Sequence, residues 1–132
     1  MPEPRWLPRR LVDAMQLDQI RQHGGSPGVR DANLVESALQ RPLNKWHFGG
    51  ERDPCVLAAA YGYGLIKNHG YLDGNKRIGF ISMYVFLGAS GVELDAPEPE
   101  AVMATLAVAD GSASEAELAA WLRAHSRPAD PA

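Results

Sequence analysis

Apolar residues recur every three or four positions along most of the chain, which is the spacing that places them on one face of a helix. The pattern predicts helices over residues 7–23, 31–42, 53–66, 74–89, 97–110 and 114–122. Residues 92–94 are too few for more than a bend or one short strand. Alanine and leucine are abundant and long β-branched runs are absent, so the fold class is predicted to be all-α.

Residues typical of helix starts and ends support several of these boundaries. Asp53 followed by Pro54 combines an acidic N-cap with proline at the first helical position. Ser114 and Glu117 have the spacing of a capping box, which satisfies two backbone N–H groups at a helix start. Pro42 lacks a backbone N–H, so the second helix is expected to end near it.

Two of the predicted helices carry expectations about packing. Gly62 and Gly64 interrupt the third helix, where each costs up to about 1 kcal/mol relative to alanine. Close packing against another helix would explain both glycines. The fifth helix is expected to turn Val102, Leu106 and Ala109 toward the core.

The helical pattern breaks down over residues 43–52, where aromatic, basic and glycine residues are mixed. This composition predicts a short flap or hairpin. Trp46 and Phe48 could bind a target there, or they could pack the segment against the domain, and the sequence leaves both possibilities open.

The length and composition suit one globular domain. The chain has 132 residues, of which 45% are apolar, and this is enough to bury a single core. No repeat or linker divides the sequence. Residues 1–126 are therefore predicted to form one domain and residues 127–132 a disordered tail.

The overall charge argues against a direct nucleic-acid binder, since the net charge is -3 and the pI is about 5.8. Positive charge is nevertheless gathered locally, because Lys67, Lys76 and Arg77 surround His69 in the sequence. Local basicity in an acidic protein suits one small anionic ligand better than a polyanion.

The cysteine count and the hydropathy bound the cellular context. Cys55 is the single cysteine, so neither an internal disulfide nor a Cys-x-x-Cys metal site is expected. The first residues lack the apolar core of a signal peptide, and no run approaches membrane-spanning length. A cytoplasmic location without membrane contact is predicted.

Residues 69–77, His-Gly-Tyr-Leu-Asp-Gly-Asn-Lys-Arg, bring together the strongest candidate chemistry, and we call them the signature segment. They precede an apolar run that predicts a buried helix beginning at Gly74 and Asn75. The first turn of a helix has unpaired N–H groups and the positive end of the helix dipole. A glycine turn in front of that first turn is typical of a phosphate-binding site.

The side chains of the signature segment predict a division of roles in phosphoryl or nucleotidyl transfer. His69 can accept the proton of an attacking hydroxyl, because imidazole changes its protonation near neutral pH. Asp73 offers a carboxylate oxygen to Mg²⁺. Asn75 can donate to a phosphate, and Lys76 and Arg77 can offset charge on the transferred and leaving oxygens.

Simpler interpretations apply to other residues of the same types. His23, His47 and His125 have no patterned neighbours and are expected to be ordinary surface or loop residues. His69 and Asp73 could also be two ligands of a transition metal, although no third ligand stands at a convincing spacing.

The signature segment resembles the motif of the Fic/Doc family, His-x-Phe-x-(Asp/Glu)-(Gly/Ala)-Asn-(Gly/Lys)-Arg. The likeness is closer to the death-on-curing (Doc) branch, because Fic enzymes usually have glycine in place of Lys76 and arginine in place of Phe80. The glycine turn at residues 24–28, the segment 34–39 and Pro42 also look Doc-like, so the resemblance covers roughly residues 17–125.

The resemblance implies a compact helical Fic/Doc domain and a toxin that is a protein kinase. Doc toxins transfer the γ-phosphate of ATP, with Mg²⁺, to a threonine of elongation factor Tu and so arrest translation. By matching positions, His69 would be the base and Asp73 the Mg²⁺ ligand, while Gly74, Asn75, Lys76 and Arg77 would bind the phosphates. Residues 43–52 would correspond to the flap that holds the target peptide.

The family motif leaves open the partner of Tyr71, the control of activity and two alternative functions. Tyr71 replaces the usual phenylalanine, so its hydroxyl needs a partner or a route to solvent. The chain has no Ser/Thr-x-x-x-Glu-(Gly/Asn) inhibitory segment, so a separate antitoxin is expected. A Fic-type nucleotidyl transferase that moves AMP, and a non-catalytic binding module with the same fold, are the alternatives.

Overall fold

The computed structural model describes residues 2–129, which form six α-helices and two short strands. The helices are α1 (Arg9–His23), α2 (Ala32–His47), α3 (Pro54–Asn68), α4 (Asn75–Ala89), α5 (Glu98–Ala109) and α6 (Glu115–Ala124). The strands are β1 (Val92–Leu94) and β2 (Ser126–Pro128). The predicted all-α class is confirmed. Within the described part of the chain, none of the helices combines the length and apolar character needed to span a bilayer.

Helix α3 is the centre of the fold and packs against α2, α4 and α6. The glycines that interrupt it lie where neighbouring helices approach most closely. A Cβ on Gly62 would stand 2.3 Å from Met83 Sδ of α4, and one on Gly64 would stand 3.1 Å from the Ala38 Cα of α2. The expectation of close helix packing at both glycines is confirmed.

Helix α2 does not end at Pro42, as the sequence predicted, but continues to His47. A proline inside a helix costs roughly 3 kcal/mol. The buried positions Val35, Leu39, Pro42 and Trp46 nevertheless stay on one face through the proline. Packing of that face against α3 outweighs the local cost.

The flap or hairpin predicted near residues 43–52 is therefore largely absent, because residues 43–47 are helical and only residues 48–53 form a connecting loop. That loop leads into the N-terminus of α3, whereas His69 follows the C-terminus. A helix of 15 residues rises about 22 Å. The loop thus lies at the end of α3 opposite the signature segment.

The aromatic residues near this loop divide into packed and exposed ones. Trp46 is 7% exposed, and its ring meets Trp6 edge-on at 6.1 Å between centroids. Trp6 stacks in turn on Phe86 of α4. Phe48 is 87% exposed at the loop itself. The open question is settled for Trp46, which packs the N-terminal segment against the helices.

The C-terminal segment is ordered where the sequence predicted disorder. Strand β2 pairs antiparallel with β1, with Glu93 opposite Arg127, and the two side chains form an ion pair at 3.1 Å. The tail prediction was wrong for residues 127–129, because pairing with a strand more than thirty residues away leaves no local pattern. The rest of the predicted tail, residues 130–132, lies outside the described residues.

Helix α5 faces the core with the side that the sequence did not predict. Ala101, Thr105 and Val108 are buried, whereas Val102 and Leu106 are 49% and 44% exposed. Both faces of α5 are rich in apolar residues, so the spacing could not select the inner one. The outward-facing Val102 and Leu106 line a cleft between α4 and α5.

Candidate active site

The signature segment begins where α3 ends in an unusual backbone conformation at His69. Its φ of 52° and ψ of 48° are left-handed, and among residues 2–129 no other non-glycine residue has a positive φ. This conformation costs roughly 1–2 kcal/mol. Arg30 holds it, because its Nε donates to the His69 carbonyl at 2.8 Å and its Nη2 to the Asn68 carbonyl at 3.2 Å. The chain turns sharply there and leaves the imidazole exposed.

Gly70 anchors the next step of the chain against the start of α2. Its carbonyl accepts hydrogen bonds from the backbone N–H groups of Arg30 and Asp31, at 2.8 and 3.0 Å. A Cβ at this position would stand 2.6 Å from Val35 Cγ2 and 2.9 Å from the Val35 backbone N. A backbone atom cannot move aside as a side chain can, so glycine is required here.

We expect Gly70→Ala to lower the free energy of unfolding by about 1–3 kcal/mol, the usual cost of overpacking. Gly88→Ala is the matched control, because a Cβ at that exposed position of α4 would meet nothing within 4 Å. The control should gain up to about 1 kcal/mol from helix propensity. Urea unfolding followed by circular dichroism measures both variants, and equal stabilities would refute the close approach at Gly70.

Tyr71, which departs from the family motif, has its hydroxyl satisfied inside the protein. The side chain is 1% exposed, and its Oη donates to Asp13 Oδ1 of α1 at 2.5 Å. Arg9 fixes that carboxylate through Nε at 3.0 Å. Burial, followed by the hydrogen bond to Asp13, raises the pKa of Tyr71 well above its usual range. The phenol therefore stays protonated and ties the signature segment to α1.

Asn75 closes the turn of the signature segment with its side chain. It is 4% exposed; its Oδ1 accepts from the Tyr71 N–H at 3.0 Å and its Nδ2 donates to the Tyr71 carbonyl at 3.0 Å. Both polar atoms of the side chain are thus engaged with Tyr71. The second hydrogen of Nδ2 and the backbone N–H remain as the donors that Asn75 could offer a ligand.

The N-terminus of α4 is open to an anion. Its N-cap is Gly74, which has a left-handed φ of 80° and no side chain to cap the first N–H groups. Lys76 and Arg77 are exposed on the first turn, which has no acidic residue. Backbone donors, the helix dipole and two cations therefore all favour negative charge at this point.

Asp73 contacts the fold through one carboxylate oxygen and leaves the other without a hydrogen bond in the described part of the chain. Its Oδ2 accepts from the Ser26 N–H at 2.6 Å, whereas its Oδ1 has no hydrogen-bond partner within residues 2–129. The described residues contain no group of three side chains that could hold a metal ion by themselves. One free carboxylate oxygen beside an anion site fits Mg²⁺, which retains waters and takes phosphate oxygens.

One cleft of about 690 Å³ gathers these groups. The predicted site residues that line it are His69, Asp73, Gly74, Asn75, Lys76 and Arg77. The apolar part of the lining is formed by Phe80 and Ile81 of α4 with Val102 and Leu106 of α5, and Glu98 also lines the cleft. The cleft thus combines cationic and hydrogen-bonding groups with apolar ones.

The sequence did not indicate the position of two residues relative to the cleft. Lys67 is not part of the cleft, because its Nζ lies 3.9 Å from the position of a Cβ on Gly111, in the turn between α5 and α6. His23 is an exposed surface histidine, as predicted, and it also lies on the cleft wall together with Gln19. Both residues come from the last turns of α1. Their helical spacing from Gln16 was the only feature of the local sequence that could have placed them on the cleft.

Comparison with known proteins gives two findings. The family model described as Fic/DOC family matches residues 6–87. A curated protein of Mycolicibacterium smegmatis (strain ATCC 700084 / mc(2)155), named Toxin Doc, is 37% identical over 75 residues, which are 55% of this chain and 57% of that protein. The chain therefore matches little more than half the length of that relative. The family-model match includes the signature segment and helix α3 before it.

Proposed function

The chain belongs to the Fic/DOC family, and we propose that it is a Doc-like toxin that acts as a protein kinase. Its reaction would transfer the γ-phosphate of ATP, with Mg²⁺, to a serine or threonine hydroxyl of a cytoplasmic translation factor, elongation factor Tu. The observation that carries this proposal is the single cleft that joins His69, Asp73 and the open N-terminus of α4.

The first turn of α4 would bind the phosphates of the nucleotide. The backbone N–H groups that follow Gly74 point away from the helix body, and Lys76 and Arg77 flank them. Charge-assisted hydrogen bonds from these groups strengthen as negative charge builds on the transferred phosphoryl group. Asn75 would contribute by holding the turn in shape and through its backbone N–H.

Asp73 is the residue that would hold Mg²⁺ through its free Oδ1. A bound Mg²⁺ would offset the charge of the phosphate oxygens and help to fix their orientation. The hydrogen bond from the Ser26 N–H to Oδ2 would keep the carboxylate from rotating out of the cleft.

His69 would act as the general base. Its imidazole is exposed on the cleft wall, and the left-handed backbone held by Arg30 fixes the point from which it projects. The target hydroxyl would give its proton to the imidazole while its oxygen bonds to the γ-phosphorus. The bond to the β-phosphate oxygen breaks, ADP leaves, and the imidazolium later releases the proton to solvent.

Two positions support phosphate transfer over nucleotidyl transfer. Phe80 lies on the cleft wall, so the position where Fic enzymes have a second arginine faces the ligand but carries no charge. Lys76 adds a cation in the first turn of α4 at the position where those enzymes usually have glycine. The two cationic side chains that line the cleft, Lys76 and Arg77, thus both lie on the first turn of α4.

The target peptide would approach along the loop of residues 24–30 rather than along residues 43–52. Val29 in that loop forms an antiparallel bridge with Tyr71, and the Leu72 N–H donates to the Gly28 carbonyl at 3.0 Å. The loop therefore borders the signature segment directly. A cognate antitoxin would restrain the toxin, in keeping with the family membership.

A cell-free translation extract tests the proposed function. Adding the protein with ATP and Mg²⁺ should stop synthesis of a reporter, and fresh elongation factor Tu should restore it once the protein has been removed. Arrest that this factor does not relieve would contradict the proposed target. Unimpaired synthesis at stoichiometric protein would contradict the toxin assignment.

A further inference from the structure

A glutamine occupies a core position of α1 close to the candidate site. Gln16 is 1% exposed and lies between Val12 and Ile20, which are also buried on the same face. An apolar side chain would ordinarily fill such a position, because a buried amide is costly unless its hydrogen bonds are made. A buried glutamine at this position therefore needs hydrogen-bond partners inside the protein.

The amide of Gln16 joins α1 to the loop of residues 24–30 and to the signature segment. Its Oε1 accepts from the Gly28 N–H at 3.1 Å, and its Nε2 donates to the Ser26 carbonyl at 3.3 Å and to the Asp73 carbonyl at 3.1 Å. Both hydrogens of the amide group are used. An isosteric apolar residue could fill the same volume but could make none of these contacts.

These bonds form a closed ring with the Asp73 carboxylate. Gln16 holds the carbonyls of Ser26 and Asp73, and the Ser26 N–H donates to Asp73 Oδ2 at 2.6 Å. Gly25 allows this close approach, since its φ is +112° and a Cβ there would stand 3.2 Å from Asp73 Oδ2. The backbone and one carboxylate oxygen of Asp73 are therefore both fixed from α1.

We infer that Gln16 is a positioning residue that, through the Ser26 amide, keeps Asp73 Oδ1 turned into the cleft to bind a divalent cation. This inference rests on the proposed function, in which Asp73 holds Mg²⁺. Gln16 itself contacts neither the cation nor the nucleotide. Loss of the Gln16 side chain should loosen the Asp73 carboxylate and raise the Mg²⁺ concentration that ATP binding requires. The phosphate-binding turn should remain intact.

The test uses Gln16→Met, which keeps the volume and removes all of the hydrogen bonds. Calorimetric titration with ATP at a series of Mg²⁺ concentrations should show half-maximal binding at about 10-fold higher Mg²⁺, the range found when groups that orient metal ligands are lost. Gln22→Met is the matched control, because Gln22 is exposed on α1 and its side chain bonds to Asp18 alone within residues 2–129. An unchanged Mg²⁺ requirement in folded Gln16→Met would overturn the inference.

Gly25→Ala is a second variant that keeps Gln16 in place, although its Cβ would also stand 3.1 Å from Ile20 Cδ1 of α1. It should raise the Mg²⁺ requirement in the same direction, because its Cβ displaces the Ser26 amide from Asp73. This variant decides the outcome if Gln16→Met does not fold, and an unchanged requirement in it would overturn the inference.

An amide spectrum separates this inference from the proposed function. The Ser26 amide proton should resonate downfield in the unmodified protein because of its short bond to a carboxylate. It should move upfield in Gln16→Met and in Asp73→Asn but not in Gln22→Met. A fixed resonance in Gln16→Met would overturn the inference, whereas a moving resonance without Mg²⁺-dependent ATP binding would overturn the proposed function alone.

Discussion

Replacing His69 by alanine should lower the rate of target modification by about 10²–10⁴-fold, the range typical for loss of a general base. The change removes the one imidazole of the signature segment while the turn keeps the hydrogen bonds that Arg30 makes to its backbone. Histidine and alanine both have a Cβ and both bear a cost of about 1–2 kcal/mol in the left-handed conformation of position 69, so the stability should change little. Intact-mass kinetics on the target measure the rate, and circular dichroism checks the fold.

His47→Ala is the control for this change. His47 is exposed at the end of α2, on the side of the molecule opposite the signature segment. Its removal should leave the rate of modification unchanged. If His69→Ala retained full activity, the assignment of a base to this position would be wrong, and His23 on the same cleft wall would be the residue to test next.

Replacing Asp73 by asparagine should lower the rate roughly 10²–10³-fold, as expected when several kcal/mol of metal-derived charge stabilisation are lost. Asparagine has nearly the same shape and can still accept from the Ser26 N–H, so the loop should stay in place. The amide has no negative charge and is a poorer ligand for a hard cation. The activity of the variant should therefore respond only weakly to added Mg²⁺.

Asp18→Asn controls for the loss of one negative charge in the same region. Asp18 is exposed on α1 and bonds to Gln22 rather than to the site. It should behave as the unmodified protein over a Mg²⁺ titration from chelator-treated buffer. Wild-type Mg²⁺ dependence in Asp73→Asn would place the cation elsewhere and remove the assigned role of Asp73.

The helices that carry the signature segment could be predicted because their signals are local. Asp53 and Pro54 mark the start of α3, and the apolar run after Gly74 marks α4. Gly62 also predicted close packing of α3 against another helix, because such packing explains a glycine inside a helix. Local signals of this kind do not depend on how distant segments pack.

The features that the sequence did not reveal depend on such distant packing. Helix α2 continues through Pro42 because burial against α3 outweighs the local cost. Strand β2 forms because Glu93 and its neighbours supply a partner from another part of the chain. The inner face of α5 was ambiguous, because Val102 and Val108 are equally apolar and only the packing distinguishes them.

The candidate site divides in the same way. The predicted site residues that line the cleft are close together in the signature segment, so the spacing of His69 and Asp73 was enough to predict that they lie together. The residues that hold these two in place, Gln16 and Arg30, come from α1 and the loop that follows it. In the sequence, Gln16 was visible only as one polar residue on an otherwise apolar helix face.

The intact mass of elongation factor Tu, measured after incubation with the protein, ATP and Mg²⁺, tests the kinase proposal most directly. The proposal predicts a gain of one phosphoryl group that requires Mg²⁺ and disappears with His69→Ala. A gain of one AMP would contradict it and show that Lys76 and Phe80 do not set the orientation of the nucleotide. An unchanged mass at stoichiometric protein would contradict elongation factor Tu as the target.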